Sequence, residues 1–294
     1  MPITKSKHVA WTDVVKPTEE DLTHLKKKFG LHPLLVQELR MPSSRTRVEA
    51  RDGYLYFIYY FPIYDTTEGT SSRTEVDVIV TKDELVSVHY DRFVNIFEDA
   101  DLHDAKDSLE LTYRFLKQIL TFEERQLRHI REKVEGVGKE LFKNQERKVL
   151  EKINYLKRDI SEYRMVVRLQ EPILHSLLLK GGVFWGNQDV EIYLADLMGE
   201  QAKIASQLED CRETIADFDG TNTQIMNLKT NAVMRTLTSL SLLTFPSMVF
   251  LALFTTGARG TPIVDLSYGF WIIAGVLAIA IISLAVYFKK KDWL

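Results

Sequence analysis

The apolar positions of this chain change their spacing from one end to the other. Between Tyr54 and Tyr90 they gather in short runs rich in β-branched and aromatic residues: YLYFIYYFPIY (Tyr54 to Tyr64), EVDVIVT (Glu75 to Thr81) and ELVSVHY (Glu84 to Tyr90). Runs of that kind, separated by Asp-Gly, Pro-Ile-Tyr-Asp and Lys-Asp turn signals, predict strands, and the last two predict a hairpin across Lys82-Asp83. HPLLVQEL (His32 to Leu39) predicts a short helix ahead of them, making a small α/β unit. From about Asp107 to Lys180 the spacing turns helical, with Leu109, Tyr113, Leu116 and Leu120 on one face, followed by Leu, Ile and Val in a charge-laced stretch. That pattern predicts long antiparallel helices packed as a coil. GGVFWGN, Gly181 to Asn187, interrupts it and marks a hairpin between helices.

No proline falls between Gln188 and Phe245, and apolar residues recur at three- and four-residue steps, so one helix is predicted from Asp189 to about Phe254. Its 66 residues would be about 100 Å long. The far end changes character. Thr236 to Ala258 and Leu266 to Phe288 are uncharged runs of 23 residues each, and a bilayer is crossed by a helix of about 20. Lys229 and Arg235 precede the first span, and Lys289, Lys290 and Lys291 follow the second. The positive-inside rule then puts both ends in the cytoplasm and makes LFTTGARGTPIVD, Leu253 to Asp265, the outside loop. MPITKSKHVAW has no apolar core of signal-peptide length, so a cytoplasmic portion of about 230 residues is expected to be made first and anchored by its tail. A stalk helix of such length exposes apolar surface in a monomer, which predicts self-association.

Composition changes this picture little. Of the 294 residues 27% are charged and the mean hydropathy is -0.13, values of a water-soluble protein that hide the two apolar runs. A net charge of -3 and the lack of a basic, aromatic-interleaved stretch argue against nucleic acid as a partner. The single cysteine, Cys211, excludes an internal disulfide and fits a reducing compartment. Neither a P-loop nor GxGxxG, GxSxG, HExxH or CxxC occurs, and the seven histidines have no ligand spacing. Nothing supports an enzyme or an organic cofactor. The polar and adaptable residues of the first span are more informative. Asn231, Met234, Leu237 or Thr238, Ser241, Phe245 and Met248 recur at helical steps. In several copies around an axis this face would line a narrow, mostly apolar pore with rings of amide, thioether and hydroxyl. Ser and Thr at such positions also serve close helix packing in lipid.

Several of these segments match a known family. The ending YFKKKDWL (Tyr287 to Leu294), the stretch NAVMRTLT (Asn231 to Thr238), Pro246 in the first span, and FGLHPLLVQEL followed by SRTRVEARDGYLYFIYY together resemble the CorA-type magnesium and divalent-cation channels. The resemblance covers nearly the whole chain. It implies a funnel-shaped homopentamer: an α+β cytoplasmic domain, a long stalk helix lining the pore, and two transmembrane helices, the second facing lipid. The implied divisions are a cytoplasmic α/β domain (1–105), antiparallel helices (106–187), stalk (188–235), first transmembrane helix (236–258), outside loop (259–265), second transmembrane helix (266–288) and basic tail (289–294). It further implies a cell-membrane location, passive flow of Mg2+, with Co2+, Ni2+ or in one branch Zn2+, and Mg2+ as an intracellular regulator. Asn231, Met234, Leu237, Ser241, Phe245 and Met248 fall on pore-lining positions. Asp196, in EIYLADLM, falls on an acidic position that binds regulatory Mg2+ with a neighbouring subunit's carboxylate, for which Asp91, Glu98, Asp99 and Asp101 lie in the right region.

One departure bears on selectivity. The family carries Gly-Met-Asn at the outer end of the first span, and an ungapped count places Thr255-Thr256-Gly257 there; aligning glycines instead gives Gly260-Thr261-Pro262. Neither register contains an asparagine. In the loop Arg259 and Asp265 cancel, and Arg259 places positive charge beside the expected mouth, which opposes cation entry. A member with altered selectivity, towards Zn2+ or anions, and a non-conducting membrane scaffold or sensor therefore stand beside the Mg2+ channel as alternatives.

Overall fold

A computed structural model of the chain describes residues 3–5, 9–43, 45–65, 70–90, 96, 105–143, 145–186, 189–255 and 267–291. They fall into two compact units, 1–219 and 220–294. The first is built on a six-stranded mixed sheet. Its strands are β1 (Ile3–Lys5), β2 (Ala10–Val15), β3 (Val48–Arg51), β4 (Tyr54–Asp65), β5 (Thr70–Val80) and β6 (Glu84–His89), in the order β1-β2-β6-β5-β4-β3. All neighbours are antiparallel except β2 and β6, which run parallel from Ala10↔Glu84 to Val15↔His89. The expected β5–β6 hairpin is present, from Val76↔His89 to Val80↔Leu85. Gly53 has φ 98° in the tight connection from β3 to β4, a backbone region open to glycine at little cost.

Helices cover both faces of this sheet. Tyr54, Tyr56 and Tyr60 alternate with Leu55, Phe57, Tyr59 and Phe61 along β4, and both sets are buried, as a strand sandwiched between layers requires. On the first face lie α1 (Glu19–Phe29) and α2 (Pro33–Glu38). Lys28 of α1 reaches Glu84 at 2.5 Å, and the His32 N–H at the start of α2 donates to the Tyr54 hydroxyl at 3.4 Å. On the second face lie α3 (Ser108–Glu140) and α4 (Glu146–Trp185), where Trp11 meets Phe115 and Phe61 meets Phe122 edge to face, with centroids 6.2 and 6.5 Å apart. Four elements add to the α/β unit read from the sequence: β1, β2 and α1 precede the helix at His32, and β3 follows it.

The hairpin expected over GGVFWGN falls at the far end of that stretch, and its first two glycines do not break the helix. Helix α4 continues through Gly181 and Gly182 to Trp185, and the chain turns at Gly186, whose φ of 61° is left-handed. A glycine inside a helix costs only about 1 kcal/mol relative to alanine, which packing can outweigh. Here the indole of Trp185 lies within 2.6 Å of where a Cβ on Gly181 would stand, so the missing side chain makes room for the ring. Helix α5 (Asp189–Thr255) then begins with buried Val190, Leu194, Leu197, Gln201, Ile204, Leu208, Cys211 and Ile215 at three- and four-residue steps. Ion pairs flank that stripe, from Arg164 of α4 to Glu209 at 3.1 Å and from Lys157 to Asp219 at 2.5 Å. In the second unit α5 continues to Thr255 and is followed by α6 (Gly269–Lys290).

Acids are buried on both faces. Between α3, α4 and β4, Glu123 is fully buried, and burial pushes its carboxyl up to about 8, against the opposing hydrogen bond from Gln170 Nε2 at 2.5 Å. On the other face burial and the nearby Asp77 charge raise Glu75 to about 7, although the Ser43 N–H donates to it. Burial likewise raises Asp77 to about 6, against donated hydrogen bonds from the Tyr56 and Tyr90 hydroxyls at 2.6 and 2.7 Å. A carboxyl raised above its unfolded value binds its proton more tightly in the folded chain, so its stabilisation is complete below about pH 4 and is lost as pH rises through the folded value. Melting of the full chain in detergent is accordingly expected to shift to lower temperature from about pH 5 to 8. Glu123→Gln should flatten the upper part of that window and be at least as stable as wild type at about pH 8. A melting temperature that climbs with pH across the window would contradict this assignment.

Candidate functional site: an uncharged helix face and a stalk carboxylate

The membrane-length part of α5 has two unlike faces. At about 100° per residue, Asn231, Met234, Leu237, Ser241, Phe245 and Met248 fall within an arc of about 120°, and all six are exposed in the single chain. Ser239, Leu243, Pro246 and Phe250 lie on the opposite side of the helix. There Ser239 is fully buried, and Leu243, Pro246 and Phe250 line a groove with Val276, Leu277 and Ala280 of α6. The face read as pore-lining is thus the one turned away from α6. Both α5 and α6 contain a stretch apolar enough to cross a bilayer, of mean hydropathy 1.7 and 2.6, and each such stretch is almost wholly exposed. In water that exposure would be costly; lipid or further copies of the chain would cover it.

The hydroxyls of this helix are turned inward. Thr238 donates to the Met234 carbonyl at 2.8 Å, Ser241 to Leu237 at 2.9 Å, Thr244 to Leu240 at 2.9 Å and Ser247 to Leu243 at 2.8 Å. Each satisfies its own donor within the helix, so what a hydroxyl such as Ser241 offers outward is an oxygen lone pair. On the mostly apolar exposed face, an uncharged acceptor such as Ser241 suits a partner that donates hydrogen bonds, which the water shell of a cation does. Pro246 has no N–H for the Leu242 carbonyl one turn earlier, which leaves a further backbone acceptor in the span. Thr255 closes the described part of α5 and donates to the Ala252 carbonyl at 2.9 Å. The remaining mouth residues, Thr256, Gly257 and Arg259, lie outside the described residues.

Asp196 sits on the stalk part of α5, facing α3. Its Oδ2 accepts hydrogen bonds from the Tyr113 hydroxyl and from Lys117 Nζ, both at 2.8 Å, and the Tyr113 and Tyr193 rings lie 4.8 Å apart beside it. Lys117, then Tyr113, holds the Asp196 carboxyl below its ordinary value. Lys117 also reaches Glu200 Oε1 at 3.2 Å, and Lys203 reaches Glu124 at 2.8 Å. The expected partners Asp91, Asp99 and Asp101 lie outside the described residues. Among the described residues no three His, Cys, Asp or Glu side chains converge on a point a metal could occupy. Sequence reasoning missed Lys117 and Tyr113. Their four-residue spacing on one helix was visible, but that this face of α3 meets Asp196 was not.

These features define a class: a mixed-sheet α/β domain with long helices, followed by two spans of membrane length. The chain belongs to the CorA-like Mg2+ transporter protein family, whose profile matches residues 6–290. It is 20% identical to the cobalt/magnesium transport protein CorA of Thermotoga maritima, over 100% of this chain and 86% of that protein. With its counterpart from Methanocaldococcus jannaschii it shares 21% identity, over 97% and 91% of the two chains. The complete structure of the CorA magnesium transporter from M. jannaschii superposes with a TM-score of 0.85, covering 98% of this chain and 92% of that one at 18% identity. The full-length CmaX protein follows with a TM-score of 0.73, covering 97% and 89% of the chains, also at 18% identity. The family is one of membrane transporters, and the single-chain fold expected from the resemblance, an α+β domain, a long helix and two apolar helices, is the fold observed.

The two faces of α5 differ in what they tolerate. Ser239→Leu adds bulk to a fully buried position and is expected to cost about 1–3 kcal/mol of stability, read as a lower melting temperature in detergent. Ser241→Leu, on the exposed face, should change stability by no more than about 0.5 kcal/mol. Equal losses would show that both faces are packed.

Proposed function

We propose that this chain forms a homopentameric channel in the cell membrane that passes hydrated divalent cations, Mg2+ foremost and Co2+ or Ni2+ besides, without an energy-coupling site. Its lining is the uncharged face of α5 from Asn231 to Met248. Lys229, Arg235 and Lys289 to Lys291 put the sheet domain and both termini on the cytoplasmic side. The observation that carries this reading is the orientation of that face, away from α6 and exposed along its length. Mg2+ gives up its water reluctantly and prefers oxygen around it. Amide oxygen at Asn231 and hydroxyl oxygen at Ser241 accept hydrogen bonds from its water shell without stripping it. Met234, Leu237, Phe245 and Met248 form apolar rings, which close a narrow pore by excluding water. Domain divisions at 105, 187, 235, 258, 265 and 288 follow from this reading, with Asp196 as a carboxylate through which cytoplasmic Mg2+ regulates the channel. The family membership and the CorA names of its relatives support both.

The test is ion flux into liposomes holding the purified chain under an inside-negative potential. Mg2+ uptake is expected, and absence of Mg2+, Co2+, Ni2+ and Zn2+ uptake by well-folded protein would overturn the reading. The lining has its own check. With the pore open, cysteines at Leu237, Ser241, Phe245 and Met248 should react with a small water-soluble thiol reagent, and cysteines at Leu243 and Phe250 should not. The replaced signature favours a second reading, altered selectivity set by Thr255, Thr256 and Arg259. Reversal potentials in salt gradients separate the two. Changing Thr255-Thr256-Gly257 to Gly-Met-Asn raises Mg2+ flux if the inner pore is competent and the mouth alone differs.

A further inference from the structure

Asp196 and Glu200 stand one helical turn apart on the same face of α5, so their carboxylates place two negative charges side by side. Like charges so spaced repel, and a cation between them is the physical remedy. In this chain a tethered cation is already there. Lys117 Nζ lies 2.8 Å from Asp196 Oδ2 and 3.2 Å from Glu200 Oε1, bridging the pair from α3. Tyr113, one turn earlier on α3, donates its hydroxyl to the same Asp196 oxygen at 2.8 Å. A second ammonium, Lys203, lies 3.9 Å from Glu200 Oε2 and 2.8 Å from Glu124 Oε1. Two lysines and three carboxylates thus alternate between α3 and α5. The Asp196 side chain is still 47% exposed, so ions from solvent reach it.

We propose that Lys117 is a built-in competitor for cations at Asp196: its ammonium holds the position that a Mg2+ ion would bridge, and a divalent ion binds there only by displacing it. This rests on the reading of Asp196 as the regulatory carboxylate and specifies how that site is tuned. Mg2+ and an ammonium compete for the same oxygen, because their charges repel at short range and Mg2+ demands oxygen ligands near 2.1 Å in octahedral array. The displaced lysine gains water and rotamer freedom, so the competition is real but moderate. An exposed ion pair is worth an amount corresponding to about a two- to fivefold change in an equilibrium constant. Lys117 therefore sets the Mg2+ concentration at which the stalk responds, raising it above that of the bare carboxylates.

The experiment is a Mg2+ titration of the full-length protein in detergent, read as protection from trypsin, in wild type, Lys117→Met, Lys117→Arg, Asp196→Asn and the Lys117→Met/Asp196→Asn pair. Lys117→Met is expected to move the midpoint about two- to fivefold lower in Mg2+. Lys117→Arg, which keeps the positive charge, is expected to stay near wild type, and Asp196→Asn to abolish the response in both backgrounds. A wild type that fails to respond while Lys117→Met does so supports the proposal in its strongest form. Equal midpoints in wild type and Lys117→Met overturn it, and leave the regulatory reading intact if Asp196→Asn still abolishes protection. A response that survives Asp196→Asn overturns the regulatory reading itself, as does the absence of a response in every variant, and the proposal falls with it. Lys117→Gln replaces Lys117→Met should melting show that the latter is misfolded.

Discussion

One helix must satisfy two solvents. In its first half α5 is an ordinary amphipathic helix, with Leu194, Leu197, Ile204, Leu208 and Ile215 buried and Arg164, Lys157 and Lys117 drawn to its acidic flanks. Past Lys229 and Arg235 it carries no charge at all. The chain cannot interrupt this helix cheaply, since an end leaves four backbone carbonyls and four N–H groups without partners. The change of solvent is therefore made in the side chains alone. Charge, apolar spacing and hydroxyl placement along α5 follow from that constraint. So does the need for cover over Met226, Leu228, Val233 and Met234, which are exposed in the single chain.

What the sequence shows most clearly is what depends on local pattern. The β5–β6 hairpin is written in two alternating runs and a turn, and α5 and α6 in uncharged stretches that no water-soluble surface would carry. Strand β2 is harder to see. AWTDVV bonds in parallel to β6, more than 70 residues away, and its register is fixed by that partner and by pairs such as Thr12 with Glu84 at 2.7 Å. A parallel strand has no adjacent turn to announce it. Helix α1 buries only Leu22 and Leu25 among charged neighbours, too few to show a periodic face. The glycines at 181 and 182 mislead for a different reason: the packing of Trp185 decides, and packing is a property of the fold.

The site divides in the same way. The stripe from Asn231 to Met248 is legible because helical spacing alone assembles it, and the groove against α6 then shows which side faces away. The surroundings of Asp196 are not legible, because Lys117 and Tyr113 reach it from 79 and 83 residues away along the chain. A carboxylate at a family position and the same carboxylate already held by an ammonium are chemically different groups. In water-exposed surroundings that difference is small in energy. The proposed regulatory ion, if weakly bound, would be sensitive to it.

The proposed mouth poses the converse problem, a cation path that would have no acidic residues in the first span or the carbonyl end of α5. Backbone supplies part of an answer. In the proposed topology α5 points its carbonyl end outward, and the aligned peptide dipoles of a helix give that end a partial negative charge of about half an electron. Several copies around an axis would bring that many carbonyl ends together at one ring. Thr255 faces the same end, its hydroxyl proton given to Ala252 and its oxygen left as an acceptor. A ring of helix ends attracts cations of any kind and contains no group that distinguishes Mg2+ from its competitors. In the proposed channel selection would then fall to the rings further in, where Asn231 and Ser241 would meet the ion's water shell, and to how narrowly Met234 and Leu237 would confine it. Arg259, adjacent in sequence, carries the opposite charge, so a mouth of this composition is less attractive than helix ends alone would make it.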